Sequence, residues 1–220
     1  MKRVLIFGTG ALAECVHACL EETGAFEAAA FTVDAAFVRG TEFRGLPVVP
    51  FEEAPRRFPP EGFGVLIAAG YRGVNLLRRE KHRAAKALGY ALPRLVHPSS
   101  PIPPTVSVGE GSLILEGNRF QPFSRVGAGV VLWTGNVVGH HAVLGDHGFV
   151  TSGVAVGGRT TVGESCFLGP GAVLRDGICV GEGCVVGAGA VLLRDAAPGG
   201  VYAVRSTERS RVPSHRLRGL

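Results

Sequence analysis

From Ile102 to Leu192 a large apolar residue stands at every sixth position without a break, through Val108, Ile114, Phe120, Val126, Leu132, Val138, Leu144 and onward. The residue after this stop is often glycine, as at Gly109, Gly127, Gly139, Gly157 and Gly181. Four residues after it comes a small or branched side chain, as at Ser112, Ser124, Ala142, Thr160, Ala172 and Ala190. A stride of six fits neither a helix nor an isolated strand, and it predicts a parallel β-helix. Each short strand turns one large and one small side chain inward, and glycine eases the corner that follows. Three hexapeptides close one triangular coil of about eighteen residues. No coil buries its inner face alone, so the stack folds as a unit.

The pattern before residue 98 is different. Lys2–Phe7 predicts a buried strand, followed by Gly8-Thr9-Gly10-Ala11-Leu12-Ala13 and an apolar-periodic helix to about Glu22. This is a Gly-x-Gly-x-x-Ala turn between strand and helix, where glycines let backbone approach a phosphate at the helix N-terminus. A second strand covers 26–33 and ends at Asp34. That carboxylate can bond a ribose or a base edge, or it can simply form the turn. A third strand covers 63–69, then Gly70-Tyr71-Arg72 leads into a basic helix ending near Leu88, and 92–96 predicts a fourth strand. One such lobe is half of a dinucleotide site, which weighs against an NAD(P) oxidoreductase.

The chain resembles the hexapeptide-repeat acyltransferase superfamily, and within it the bacterial sugar acetyltransferases typified by sialic-acid O-acetyltransferase and the bacillosamine-type N-acetyltransferase. The likeness rests on the six-residue repeat, the preceding glycine turn, and Gly139-His140-His141. It implies an α/β Rossmann-like nucleotide-sugar-binding lobe over 1–97, a left-handed parallel β-helix over 98–204, and a basic tail over 205–220. It implies a trimer with active sites between subunits, acetyl-CoA as co-substrate, and a UDP- or TDP-linked amino sugar as acceptor. His140 falls on the general base of the family. Gly10, Ala11, Leu12, Asp34 and Gly70 fall on nucleotide-contacting positions, and Gly158, Pro170 and Ala188 on coenzyme-contacting positions. O-acetylation, or a non-catalytic binding trimer, are the alternative functions.

The residues themselves support a site at this place. His140 is the second residue after its stop, so it faces outward at a corner and has no packing task. A neutral imidazole can take the proton an acceptor sheds as it attacks a thioester. Backbone N–H groups at the corner are expected to hold the oxyanion. Where the family often places an orienting glutamate this chain has His141, which leaves His141, Asp146 and His147 as auxiliary candidates. Asp146 is one strand away from His140, well over 10 Å at about 3.3 Å per residue, and would serve only from a neighbouring subunit. The family's zinc-binding relatives spread histidine ligands over several coils. No such spread is present here, and no metal is expected. Asn118 and Asn136, one coil apart at the inward position, predict an amide ladder.

Composition adds constraints. The chain is 46% apolar, with 33 glycines phased to the repeat rather than scattered. Its net charge of +5 concentrates from Arg205 onward, where five arginines stand against Glu208. This is a tail that is either solvated or helps with phosphates, not a nucleic-acid-binding face. There is no apolar run approaching a membrane span and no leader-like segment, so the expected location is the cytoplasm. The five cysteines include no Cys-x-x-Cys pair and are expected to be reduced and buried, with Cys166 stacked on Cys184.

Overall fold

The computed structural model describes residues 3–206 and Arg216. The tail expected over 205–220, with Arg209, Arg211 and Arg218, otherwise lies outside the described residues.

The first ninety residues build a five-stranded sheet from β1 (Arg3–Phe7), β2 (Glu27–Val33), β3 (Glu42–Phe43), β4 (Leu46–Pro50) and β5 (Phe63–Ile67), in the order β3-β4-β2-β1-β5. β1, β2, β4 and β5 are parallel, and β3 pairs antiparallel with β4. β1 is buried along its length after Arg3, as a central parallel strand must be. Helix α1 (Ala11–Thr23) packs Leu12, Ala13, Val16 and Leu20 against one face of this sheet. Behind the other face lie α2 (Ala54–Arg57) and α3 (Leu76–Ala87), through Ala54 and Ala85. Gly8 is indispensable to the first turn, because its φ is +125° and a Cβ there would lie 2.7 Å from the carbonyl oxygen of Ala68. The strand expected over 92–96 contracts to Leu95–Val96, and it leaves the lobe to pair with Leu113–Ile114 as the first rung of the second unit.

That unit is a prism of three parallel sheets made of two-residue strands. The first face stacks Ser107–Val108, Arg125–Val126, Val143–Leu144, Thr161–Val162 and Cys179–Val180. The second runs from Leu95–Val96 through Phe149–Val150 to Val201–Tyr202, and the third from Arg119–Phe120 to Val191–Leu192. The apolar stops from Val108 to Leu192 are the buried partners of these strands and form one core. Each contributes roughly 1.5–3 kcal/mol by leaving water. Ile102, the expected first stop, begins no strand and is only half-buried. The amide ladder is present: Asn136 Nδ2 donates to Asn118 Oδ1 at 2.9 Å, and Asn136 Oδ1 accepts from Val154 N at 2.8 Å. Cys166 and Cys184 are buried in consecutive coils, whereas Cys15 and Cys179 are exposed, contrary to expectation.

The phased glycines serve two purposes, not the one expected. Those directly after the stop are there for close approach between coils. A Cβ at Gly139, for example, would lie 2.6 Å from the backbone N of Gly158. The left-handed residue of each corner comes two positions later, where Gly135 has φ +70°. At this position His141, His147, Phe123, Arg159 and Ser165 also take positive φ without being glycine.

Outward side chains differ by face. On the second face Leu113, Val131 and Phe149 join the apolar core of the lobe, so this face is where the two units meet. On the third, Val137, Val173 and Val191 lie exposed, with the half-buried Ala155 in the rung between Val137 and Val173.

Candidate active site

A cavity of about 630 Å³ opens between the lobe and the second face. Its floor is the glycine turn, where α1 begins at Gly10 without a side-chain cap, so its first N–H groups are available to an anion. Gly10, Ala11, Leu12, Asp34 and Gly70, expected at the nucleotide, all line it. The carboxylate of Asp34 is held by Lys81 at 2.7 Å, and Lys81 is itself nearly buried. Burial pulls the ammonium of Lys81 down, but bonds to Asp34 and Glu80 outweigh this and raise its pKa. The ion pair therefore fixes one oxygen of Asp34 and leaves the other for a ligand.

The opposite wall, apart from Pro170, was not singled out in the sequence. It consists of Tyr71, Trp133, Phe149, Thr151, Ser152 and Pro170. Trp133, Phe149 and Phe167 stack up the second face at 6.5 and 6.0 Å, and Tyr71 meets Phe149 edge-on at 5.2 Å. Phe149 and Phe167 lie one coil apart at an outward position. Two aromatics there signal a covered face, and that signal was available in the repeat.

His140 stands on another edge of the prism, where the third face turns into the first. It is exposed, and Gln121 Oε1 accepts its backbone N–H at 2.9 Å. Its ring lies across the backbone of the next coil: a Cβ on Gly158 would be 2.5 Å from His140 Nε2. Its Nδ1 is 3.3 Å from Nδ1 of His141, whose ring packs on Phe123 at 4.9 Å. The expected backbone oxyanion donors are not free here. Gly139 N donates to Val156 O, Gly157 N to Leu174 O, His141 N to Pro122 O, Arg159 N to His140 O, and Gly158 N to Asp176 Oδ1. Hydrogen bonds between coils consume these groups.

The remaining expected residues divide between edges. Gly158 lies beneath His140, while Pro170 and Ala188 sit at the corner between the second and third faces, with Pro170 at the rim of the cavity. Asp146 and His147 occupy the third edge, between the first and second faces. Asp146 Oδ1 accepts from Ala128 N at 2.8 Å, as Asp176 does for Gly158. His147 is 6% exposed and meets His82 of α3 edge-on at 5.0 Å. His147 Nδ1 and His82 Nε2 have no hydrogen-bond partner. Among the described residues no group of three or more His, Cys, Asp and Glu could hold a metal ion, and no helix is long and apolar enough to cross a membrane.

This histidine pair makes the interface acid-sensitive. Burial, then the neighbouring His82, lowers the pKa of His147 to about 4, and burial lowers that of His82. The unfolded chain binds these protons near pH 6.5, so it holds more of them than the folded chain below that pH. Stability is full above pH 6.5 and is lost as pH falls towards 4, by roughly 1–3 kcal/mol. In His147→Asn, which suits the left-handed corner, thermal melting at pH 7 and pH 4.5 should differ less than in the wild type.

The comparisons agree with this architecture. The family model described as "Bacterial transferase hexapeptide (six repeats)" matches residues 159–194. The structure of PerB from Caulobacter crescentus, in complex with CoA and GDP-perosamine, is 31% identical over 91% of this chain and 93% of its own, with TM-score 0.82. The acetyltransferase domain of PglB from Neisseria gonorrhoeae FA1090 is 28% identical over 91% of this chain and 96% of its own, with TM-score 0.80. WeeI from Acinetobacter baumannii AYE, 19% identical over 91% and 96% with TM-score 0.73, shares the fold. No curated protein sequence matches significantly. Fold and repeat define an acyltransferase of the hexapeptide class. The chain belongs to the hexapeptide-repeat acyltransferase family.

Proposed function

We propose that this protein transfers the acetyl group of acetyl-CoA to the amino group of a UDP- or TDP-linked sugar, with His140 as general base. The observation that carries this is the exposed imidazole of His140, which has no packing role and projects its Nε2 over Gly158. The nucleotide occupies the lobe's cavity, with its diphosphate at the start of α1 and its ribose or base at Asp34. The amine attacks the thioester carbonyl carbon and gives its proton to His140 Nε2. The C–S bond then breaks, and the imidazolium returns the proton to the departing sulfur, which leaves CoA thiol and an amide. PerB was solved with CoA and a nucleotide-linked amino sugar, and PglB contributes an acetyltransferase domain.

The organisation behind this reading is a Rossmann-like lobe over 1–97 and a left-handed β-helix over 98–204, with the tail beyond. The parallel strand order and the hexapeptide match support it. A homotrimer completes the site. One copy offers the edge with His140 and Gly158, and its neighbour offers the edge with Pro170 and Ala188 beside the cavity. The exposed Val137, Val173 and Val191 on the intervening face favour such contact. A cytoplasmic location belongs to the same reading, supported by five free cysteines.

The test is to mix the protein with acetyl-CoA and UDP-, TDP- and GDP-linked amino sugars and follow free thiol. Release with a UDP or TDP sugar is expected. Release with a GDP sugar alone overturns the choice of nucleotide, and release with none overturns the activity.

A further inference from the structure

We propose that His141 is the positioning residue for His140, fixing its tautomer through a neutral imidazole–imidazole hydrogen bond. This rests on the reading of His140 as the base. For His140 Nε2 to accept a proton, the ring's own proton must sit on Nδ1. A solvated imidazole has no need to choose that tautomer, so something must accept from Nδ1–H. Among the described residues the ring's hydrogen-bond partner is His141 Nδ1, at 3.3 Å, with the two rings nearly perpendicular at 85°. Gln121 spends its side-chain oxygen on the backbone N–H of His140. Asp176 spends one oxygen on Gly158 N, and no described carboxylate forms an ion pair with either ring. His140 Nδ1–H therefore donates to His141 Nδ1, and His141 carries its proton on Nε2. As positive charge develops on His140, this bond becomes charge-assisted and shortens.

The backbone supports a selected role for His141. It takes φ +58° at a corner position that Arg159 also holds left-handed one coil later, at φ +57°, and that Gly177 fills two coils later, at φ +71°. A left-handed non-glycine residue costs roughly 1–2 kcal/mol, so the fold alone favours glycine there. Phe123, one coil earlier and also left-handed at φ +66°, packs its ring on His141 at 4.9 Å and keeps it from turning away.

Asparagine and glutamine separate positioning from bulk. The Oδ1 of Asn hangs from Cγ as His Nδ1 does, and Asn tolerates left-handed backbone, whereas the acceptor of Gln lies one bond further out. Long-range proton–nitrogen NMR of the neutral imidazoles reads the tautomer without any substrate. The wild type and His141→Asn should show His140 protonated on Nδ1, and His141→Leu should lose that preference. A wild-type His140 protonated on Nε2 overturns the proposal. In the thiol-release assay, His141→Leu and His141→Gln should lose kcat by roughly 10- to 100-fold with KM for both substrates unchanged, and Asn should recover most of it. Equal loss in Asn and Leu, or no loss in Leu while His140→Ala is inactive, overturns the positioning role alone. Full activity in His140→Ala removes the base assignment and this proposal with it.

Discussion

His140→Ala is expected to lower kcat by about two to four orders of magnitude while KM for coenzyme and sugar nucleotide changes little. The split follows from where the ring sits. The exposed imidazole on its edge of the prism lines no part of the cavity beside Asp34 and Tyr71, so its removal subtracts nothing from nucleotide binding. It supports no packing either, so thermal stability should be unchanged and the loss can be assigned to proton transfer. Gly158→Ala probes the same geometry with the imidazole still present. The added carbon would meet Nε2 at 2.5 Å and Cε1 at 2.7 Å, and the backbone there is not left-handed, so the ring is what must move. A displacement of about 1 Å can cost about 100-fold, so this variant should fall between wild type and His140→Ala. Comparable kcat in wild type and His140→Ala would transfer the proton-accepting role to another group.

The repeat and the lobe were legible because their signals are periodic and local. A stride of six specifies which side chains face inward, and from it the outward corner place of His140 follows by counting. The glycine turn likewise carries Gly10, Ala11 and Leu12 to the cavity wall, joined there by Asp34 and Gly70. What stayed hidden depends on contacts between distant segments. Gly109 and Gly139 look like turn glycines in the sequence, yet neighbouring coils leave no room for a Cβ at either. The separation of Asp146 from His140 by one strand followed from counting, but the burial of His147 against His82 of α3 did not. Gly158, Pro170 and Ala188 likewise divide between edges. Within one chain the predicted coenzyme positions cannot form one groove, which is a physical reason for a second copy at the site. The union of lobe and prism was equally hidden. Helix α3 reads as a basic helix, and nothing in its sequence marks Arg78, Lys81 and His82 as buried, as they are.

Arg78 makes the strongest single claim about that union: Arg78→Met should destabilise the protein by roughly 2–4 kcal/mol. Its side chain is 1% exposed and meets carbonyl oxygens rather than a carboxylate. Nε donates to Gly129 O at 3.1 Å, Nη2 to Gly148 O at 2.9 Å and also to His147 O, and Nη1 to Asn75 Oδ1 at 3.0 Å. Burial without a counter-charge lowers its pKa to about 9. Met fills similar space and removes the desolvation cost of the guanidinium, but it leaves several buried acceptors unpaired at about 1–3 kcal/mol each. The second sum is larger, which fixes the sign. Arg78→Lys offers a compact ammonium in place of a fork and should recover only part of the loss. A functional effect should accompany the structural one. Nη1 also reaches Gly70 O at 3.5 Å, and the guanidinium lies 5.4 Å over the ring of Phe149, so Arg78 braces the cavity from both walls. KM for the sugar nucleotide should rise roughly 10-fold, by the loss of about 1.4 kcal/mol of binding, with kcat less affected. Denaturant unfolding of the variants measures the first effect and steady-state kinetics the second. Wild-type stability in Arg78→Met would mean that desolvating the cation costs as much as its bonds return, and that the apolar contact of Leu113, Val131 and Phe149, with the bonds of Asn75 to Ser165 O and Cys166 O, suffices to join lobe to prism.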